Sequence, residues 1–558
     1  MTTIDYIVII VFSLGVFVAG MSFSRSGKNL KTFFAGGGEV PWWISGLSLF
    51  MSFFSAGTFV AWGSLAYMHG AVSISVQWTM CLAGFIIAGF VAARWRRTGV
   101  LTGAEFIGAR LGEGVKKAYS YLFLAISVFT SGAFLYPVAK IVEGATGFPF
   151  EYVVVGIATA IIIYTAVGGL WAVIVTDVLQ FVILSAAVLI IVPLAFDKIG
   201  GVGEFFEAAP EGFFGLTTEE YSPLFMLGFG LYNLCFIAGN WAYVQRYTSV
   251  RTPKDSRKVA LLFGCLYSFS PVIWMMPPML YRIYNPSLDI ANGEANHAYM
   301  LMAGEVLPQG MVGLIVGAMM FATASSVNTT LNIVSGVFTN DLYRTMKPEA
   351  PTKELIFVAR VTTVFFGIVG MLVALSVDAM GGILDVIWTV GGITGGAMYI
   401  PPLWALFSKR HTGKTVLAVS VACLLVNCLF KFNGYVTLTQ AQVQILGSGL
   451  PLVLMAVLEL ALARKGDSSV SFSEYERKRL ERMKDLDAAQ LQEDRAEANL
   501  ENRHGVRVIA LGILATGVLI AALGVAGETG RSLVTGVGLV LVVLGGWTVS
   551  ATRKAPKG

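Results

Sequence analysis

The sequence predicts an all-α polytopic membrane protein of about fifteen transmembrane helices, with the amino terminus outside and the carboxyl terminus cytoplasmic. Three observations carry this. Of 558 residues, 56% are hydrophobic and 13% charged, about half the charged share of a soluble domain, and the mean hydropathy is +0.72. A ruler of about 20 apolar residues per span selects runs near 4–22, 41–68, 73–95, 117–143, 150–167, 171–196, 222–246, 258–285, 309–338, 355–377, 382–407, 415–431, 446–463, 507–525 and 531–549. The loops between them alternate in charge. RSGKNLK, RWRR, QRYTSVRTPKDSRK, YRTMKPEAPTK, SKRHTGK and the 464–507 segment are basic or rich in both signs, whereas 197–221 sets six acidic residues against Lys198 alone. Basic loops stay in the cytoplasm, which orients the chain.

Taken in order, the first run, YIVIIVFSLGVFVAGM, lacks a basic leader and a small-residue cleavage site, so it reads as a membrane helix. Residues 1–40 form this extra helix and a cytoplasmic loop. Two later runs are interrupted: GLSLFMSFFSAGTF within 41–68 and LGFGLYNLCFIAGNW within 222–246 each gather small and polar residues halfway through a span. Each opens a five-helix unit, 41–196 and 222–407. Five is odd, so the second unit starts from the opposite side of the membrane. Interrupted helices at matching positions of two inverted halves point to a transporter's central site. Two additional helices follow in 408–463, then the charged segment 464–506, and two last helices with a basic tail in 507–558. The charged segment is too short to bury a core of its own and reads as a solvated cytoplasmic helix.

Several function classes fall away. Cys81, Cys235, Cys265, Cys423 and Cys428 all lie in apolar runs without a CxxC pair, so neither a disulfide framework nor a zinc site is indicated. No HExxH or P-loop motif appears, and no nucleophile–base constellation, so an enzyme is not expected. The net charge of +5 is accounted for by loop lysines and arginines and does not call for nucleic acid. A channel needs a continuous polar pore, whereas the polar residues here cluster near mid-span. A solute sensor signalling through 465–506 would want a kinase or receiver domain, and none follows.

The most unusual stretch is FATASSVNTTLN (321–332), with seven hydroxyl or amide side chains in twelve positions of an otherwise apolar helix. Such groups are costly at membrane depth unless they meet each other, a cavity or an ion. Helix–helix hydrogen bonding is one reading. An ion site is the other.

Three stretches now carry a resemblance. GGLWAVIVTDVLQF (168–181), the pair formed by FATASSVNTTLNIVSGVFTNDLYR (321–344) with the interrupted GLSLFMSFFSAGTF, and GNWAYVQRY (239–247) together resemble the sodium/solute symporter family over about residues 1–465. The resemblance implies the LeuT-type five-plus-five inverted repeat and sodium-coupled import of a small solute by a multi-pass protein of the plasma (inner) membrane. It also implies sodium ligands. The A-x-x-S-S spacing of the eighth core helix falls on Ala322, Ser325 and Ser326, and the carbonyls of the broken first helix fall on Met51 and Phe54. A hard cation wants such oxygens. Asp177 falls on a carboxylate of the inward sodium path or of a second sodium site.

For the solute, the resemblance places Phe53, Thr58, Trp62, Gln77, Trp78, Asn233 and Phe236 around a pocket. Asn233 matches a sugar-contacting asparagine and Phe236 an aromatic lid, while Ile387, beside Trp388, stands where the family has a lid glutamine. Aromatics, amides and a hydroxyl without charge suit a neutral or zwitterionic polar solute, a sugar or sugar derivative first, with an amino acid or carboxylate as the alternative. The partners implied are that solute, sodium and the lipid bilayer. The sequence sets no oligomeric state.

Overall fold

The computed structural model describes residues 1–22, 38–100, 102–165, 170–290, 293–432, 438–464, 468–484 and 488–554. The RSGKNLK loop, Gly168 and Gly169 of the GGL stretch and the last four residues of the basic tail lie outside them. The described chain is helical, with one isolated backbone bridge between Val40 and Val250.

After α1 (Thr3–Met21) come α2 (Trp42–Met51), α3 (Gly63–His69), α4 (Val72–Phe90), the short α5 (Gly103–Leu111), α6 (Glu113–Thr146), α7 (Phe150–Thr165) and α8 (Leu170–Ile199). Beyond the acidic loop follow α9 (Pro223–Gly239), α10 (Trp241–Thr248), α11 (Pro253–Trp274), α12 (Met276–Tyr284), α13 (Met311–Gly336), α14 (Thr352–Ser376), α15 (Ile383–Val390) and α16 (Gly396–Ala405). Then come α17 (Gly413–Phe432), α18 (Gln440–Ala463), α19 (Val470–Lys484), α20 (Ala488–Ala526) and α21 (Arg531–Lys554). Local chemistry sets many of the starts. Ser222 and Thr252 accept from Phe225 N and Asp255 N with proline as the next residue, and Thr439 forms a capping box with Gln442.

All fifteen apolar runs carry helix. By length and composition, ten described helices are able to span a membrane, eleven when the bent pair Pro223–Gly239 and Trp241–Thr248 counts as one. Breaks and π turns divide 41–68 and 382–407 into pieces shorter than a bilayer, and α1 and α7 run up to residues outside the described set.

The basic loops gather on one face. Val40 N bonds to Ser249 O at 3.0 Å, Arg96 Nε to Val250 O at 2.6 Å, Arg110 Nη2 to Ser408 O at 3.0 Å and Ser469 N to Lys409 O at 2.9 Å. The opposite face joins the acidic loops and the start of α1. There Ala71 N meets Phe213 O, and the buried Asp5 accepts from Gly310 N and Gly313 N at 2.9 Å each. The start of α2 therefore lies on the basic face and the 197–221 loop before α9 on the other. Close crossings rest on small residues: a Cβ on Gly84 would stand 2.8 Å from Gly264 Cα, where α4 meets α11.

Candidate binding and ion site

Residues 52–55 leave the helix between α2 and the π turn Thr58–Trp62. Freed backbone groups there find local partners. Phe54 N donates to Met51 O at 2.9 Å, Ser55 N to the Thr58 hydroxyl at 3.3 Å, and Ala56 N to the Thr323 hydroxyl on α13 at 3.1 Å. The second break falls at Asn240, where α9 and α10 bend by 56°; its side chain accepts from Ala242 N at 2.9 Å and donates to the Tyr399 hydroxyl at 3.2 Å.

The two breaks face each other through rings. Phe53 lies 4.3 Å from Tyr243 and 6.1 Å from Phe236, and Phe236 lies 5.4 Å from Tyr399 and 5.3 Å from Tyr232. They bound a cavity of about 180 Å³. Phe53, Thr58, Trp62, Asn233, Phe236 and Ile387 line it, and among the described residues no charged side chain does. The Asn233 amide donates to Thr79 at 2.8 Å, which fixes its orientation. Tyr232 reaches the wall because Gly395 has no side chain; a Cβ there would sit 2.3 Å from its ring.

Gln77 and Trp78 are not among the lining residues. Gln77 Nε2 turns back to Ser73 O at 3.1 Å, and Trp78 Nε1 donates to Ser268 O at 2.9 Å on α11. The structure brings Met80 to the wall in their place and uses Thr79 to hold Asn233.

A smaller chamber of about 40 Å³ adjoins the first, sharing Ser52, Phe236, Tyr243 and Tyr399. Ser325, Ser326, Thr329 and Thr330 form its hydroxyl wall, opposite Ser127 and Thr130 of α6. This is room for a cation or a water or two, since one water needs about 10–15 Å³ by this measure. Ser325 and Ser326 are 7% exposed and Ala322 is buried; the Ser326 hydroxyl donates to Ala322 O at 3.2 Å. Met51 ends α2 and Phe54 lies in the first break, both with buried side chains, and neither lines either chamber.

Asp177 is 2% exposed, buried among polar partners rather than solvated or capping a helix end. It receives hydroxyls from Ser48 of α2 and Ser325 of α13, both at 2.6 Å, and Arg246 of α10 lies 4.0 Å away and donates to Ser48 at 3.3 Å. One carboxylate thus ties four helices together. Sequence reasoning quoted Arg246 and Tyr243 within GNWAYVQRY without giving either a partner. Thr323, Thr79, Tyr232, Tyr399 and Thr130 it passed over, because their roles depend on contacts between helices. Among the described residues no group of three His, Cys, Asp or Glu gathers, and the oxygens present are hydroxyls, carbonyls and one carboxylate.

Two helices broken at matching places, meeting over an uncharged cavity with a hydroxyl chamber beside it, define a carrier of the broken-helix class. The family model of the sodium:solute symporter family matches residues 33–457, and the chain belongs to that family. It is accordingly a multi-pass membrane protein of a family that couples solutes to sodium. It is 27% identical over 439 residues to the sodium/sialic acid symporter SiaT of Proteus mirabilis (strain HI4320), covering 76% of this chain and 88% of the relative. Against the sodium/glucose cotransporter of Vibrio parahaemolyticus it is 24% identical, over 77% and 86%. In fold it is similar to a Na+-coupled sialic acid symporter solved in a substrate-bound outward-open state (TM-score 0.69, 21% identity, 82% and 98% covered). It is also similar to Mhp1, a nucleobase-cation-symport-1 family transporter (TM-score 0.52, 15% identity, 80% and 99% covered).

Proposed function

We propose that the protein imports a small neutral or zwitterionic polar solute, a sugar or sugar derivative first, with sodium, by alternating access. The observation that carries this is the meeting of both helix breaks at an aromatic, uncharged cavity that shares walls with the Ser325–Ser326 chamber. Sodium is held by the Ala322 carbonyl, the Ser325 and Ser326 hydroxyls and the Met51 and Phe54 carbonyls, with Asp177 as a neighbouring carboxylate. A bound ion cross-links the break after α2 to α13. It favours the arrangement in which Phe53 and Tyr243 present their faces to the solute, so each ligand raises the affinity of the other. The units 41–196 and 222–407 act as inverted halves, within fifteen crossings that place the basic face in the cytoplasm.

The absence of charged side chains among the described lining residues favours an uncharged or zwitterionic solute. A carboxylate would bury an anion with no cation at the wall, a costly state. Aromatic faces with the Asn233 amide and the Thr130 and Tyr hydroxyls suit a polyhydroxylated solute instead. The relative named for glucose fits this class, whereas the one named for sialic acid takes a sugar acid and marks the carboxylate alternative. Uptake by proteoliposomes, screened over sugars, amino acids and carboxylates, tests it. Accumulation should need an inward sodium gradient, and uptake unchanged when choline replaces sodium would defeat the proposal.

A further inference from the structure

On the basic face, away from both chambers, a cationic cleft has no part in the transport scheme above. Helix α19, VSFSEYERKRLERMK, lies against α5: Tyr475 stands 6.2 Å from Phe106, and Ser469 binds Lys409 O through its amide and hydroxyl at 2.9 and 3.1 Å. The seam encloses one cavity of about 620 Å³ and an adjoining one of about 250 Å³. Arg97, Arg110 and Arg479 line both, and Arg94 and Lys409 line the smaller. The carboxylates at the mouth are largely taken, Glu476 by Arg479 and Glu474 by Lys478, each at 2.7 Å. Arg97, Arg110 and Lys409 form no ion pair among the described residues.

Arg110 is the decisive group. It is 2% exposed, and its Nη2 donates to Ser408 O and His411 O at 3.0 and 3.1 Å. Its Nε and Nη1 have no hydrogen-bond partner among the described residues. Burial pushes the guanidinium down to about 10, which leaves it charged at neutral pH. A buried charge with two donors unmet is costly, and the guanidinium fork matches the paired oxygens of a phosphate. We propose that this cleft binds a phosphate-class oxyanion, with Arg110 at its base and Arg97 and Arg479 at its mouth, and that the bound anion fixes α19 to α5. The same chemistry is offered by an anionic lipid headgroup at the membrane surface and by a soluble phosphate.

The test uses the full chain with two probes. Inorganic phosphate is titrated by calorimetry, and phosphatidylglycerol retention from nanodiscs is compared with phosphatidylcholine by native mass spectrometry. Wild type should bind one equivalent of at least one probe, and R97Q/R479Q should weaken it at least tenfold. Phosphate binding alone would assign a soluble ligand, and phosphatidylglycerol selectivity alone a headgroup. R110Q should abolish binding. Should that variant not fold, the R97Q/R479Q variant decides. Failure of wild type to bind either probe, or equal binding by R97Q/R479Q, would overturn the proposal.

Discussion

At the scale of single residues, hydroxyls of one helix divide by where they point. Thr330 donates back to Ser326 O at 3.0 Å and Ser326 to Ala322 O at 3.2 Å, the local bonds open to any membrane serine or threonine. Ser325 reaches across to Asp177 at 2.6 Å. The solute side has a comparable anchor in Asn233, held by Thr79. Asn233→Ala should raise the solute concentration for half-maximal uptake about tenfold, ~1.4 kcal/mol, since a positioned amide is lost. Sodium affinity measured without solute should stay within about twofold, a shift of under half a kcal/mol. A collapse of sodium affinity with solute preference intact would remove Asn233 from the pocket. The family resemblance supplied Asn233, Phe53 and Phe236, which line the cavity, and Gln77 and Trp78, which do not. Neighbouring residues on a helix point about 100° apart, so a one- or two-residue shift in register trades Met80 at the wall for Trp78 on α11.

At the scale of elements, both breaks were foreseen from small and polar residues within an apolar run, and the second lies at Asn240, the far end of its stretch. The π turns at Thr58–Trp62, Val337–Tyr343 and Gly391–Gly395 were not, since a π turn reflects tertiary packing more than composition. What the sequence hides best is the cap. Thr323, fully buried on α13, serves the backbone of the first break at Ala56, so the ion helix and the solute helix share one hydrogen bond. Thr323→Val leaves that amide unmet and should lower stability by about 1–3 kcal/mol. Thr323→Ser should keep most of it. Thermal unfolding in detergent checks the pair, and equal melting of both variants with wild type would show that the bond carries no weight. Asp5→Asn tests a second link of this kind. The carboxylate caps the start of α13 from α1, and replacing it should cost about 0.5–2 kcal/mol by the same assay.

For the whole molecule, the charge alternation read from the loops agrees with the contacts that gather RWRR, QRYTSVR and SKRH on one face. The sequence could not set which helices pack together, because every face of an apolar helix offers similar surface to lipid and to protein. Orientation is testable with exposed positions. Cysteines at Arg257 and Ser473 should resist impermeant thiol reagents in intact cells, while one at Glu211 on the opposite face should label readily. The reverse pattern would invert the topology.

Sodium titrations of transport by Ser325→Ala, Ser326→Ala and the control Thr330→Ala test most directly whether sodium is held where the first break meets α13. Each serine variant should need about tenfold more sodium for half-maximal uptake, ~1.4 kcal/mol, with solute affinity recovering at least partly at saturating sodium. Thr330→Ala should titrate like wild type. An unshifted sodium dependence in both serine variants, with only stability or expression reduced, would return these hydroxyls to helix packing and contradict the account.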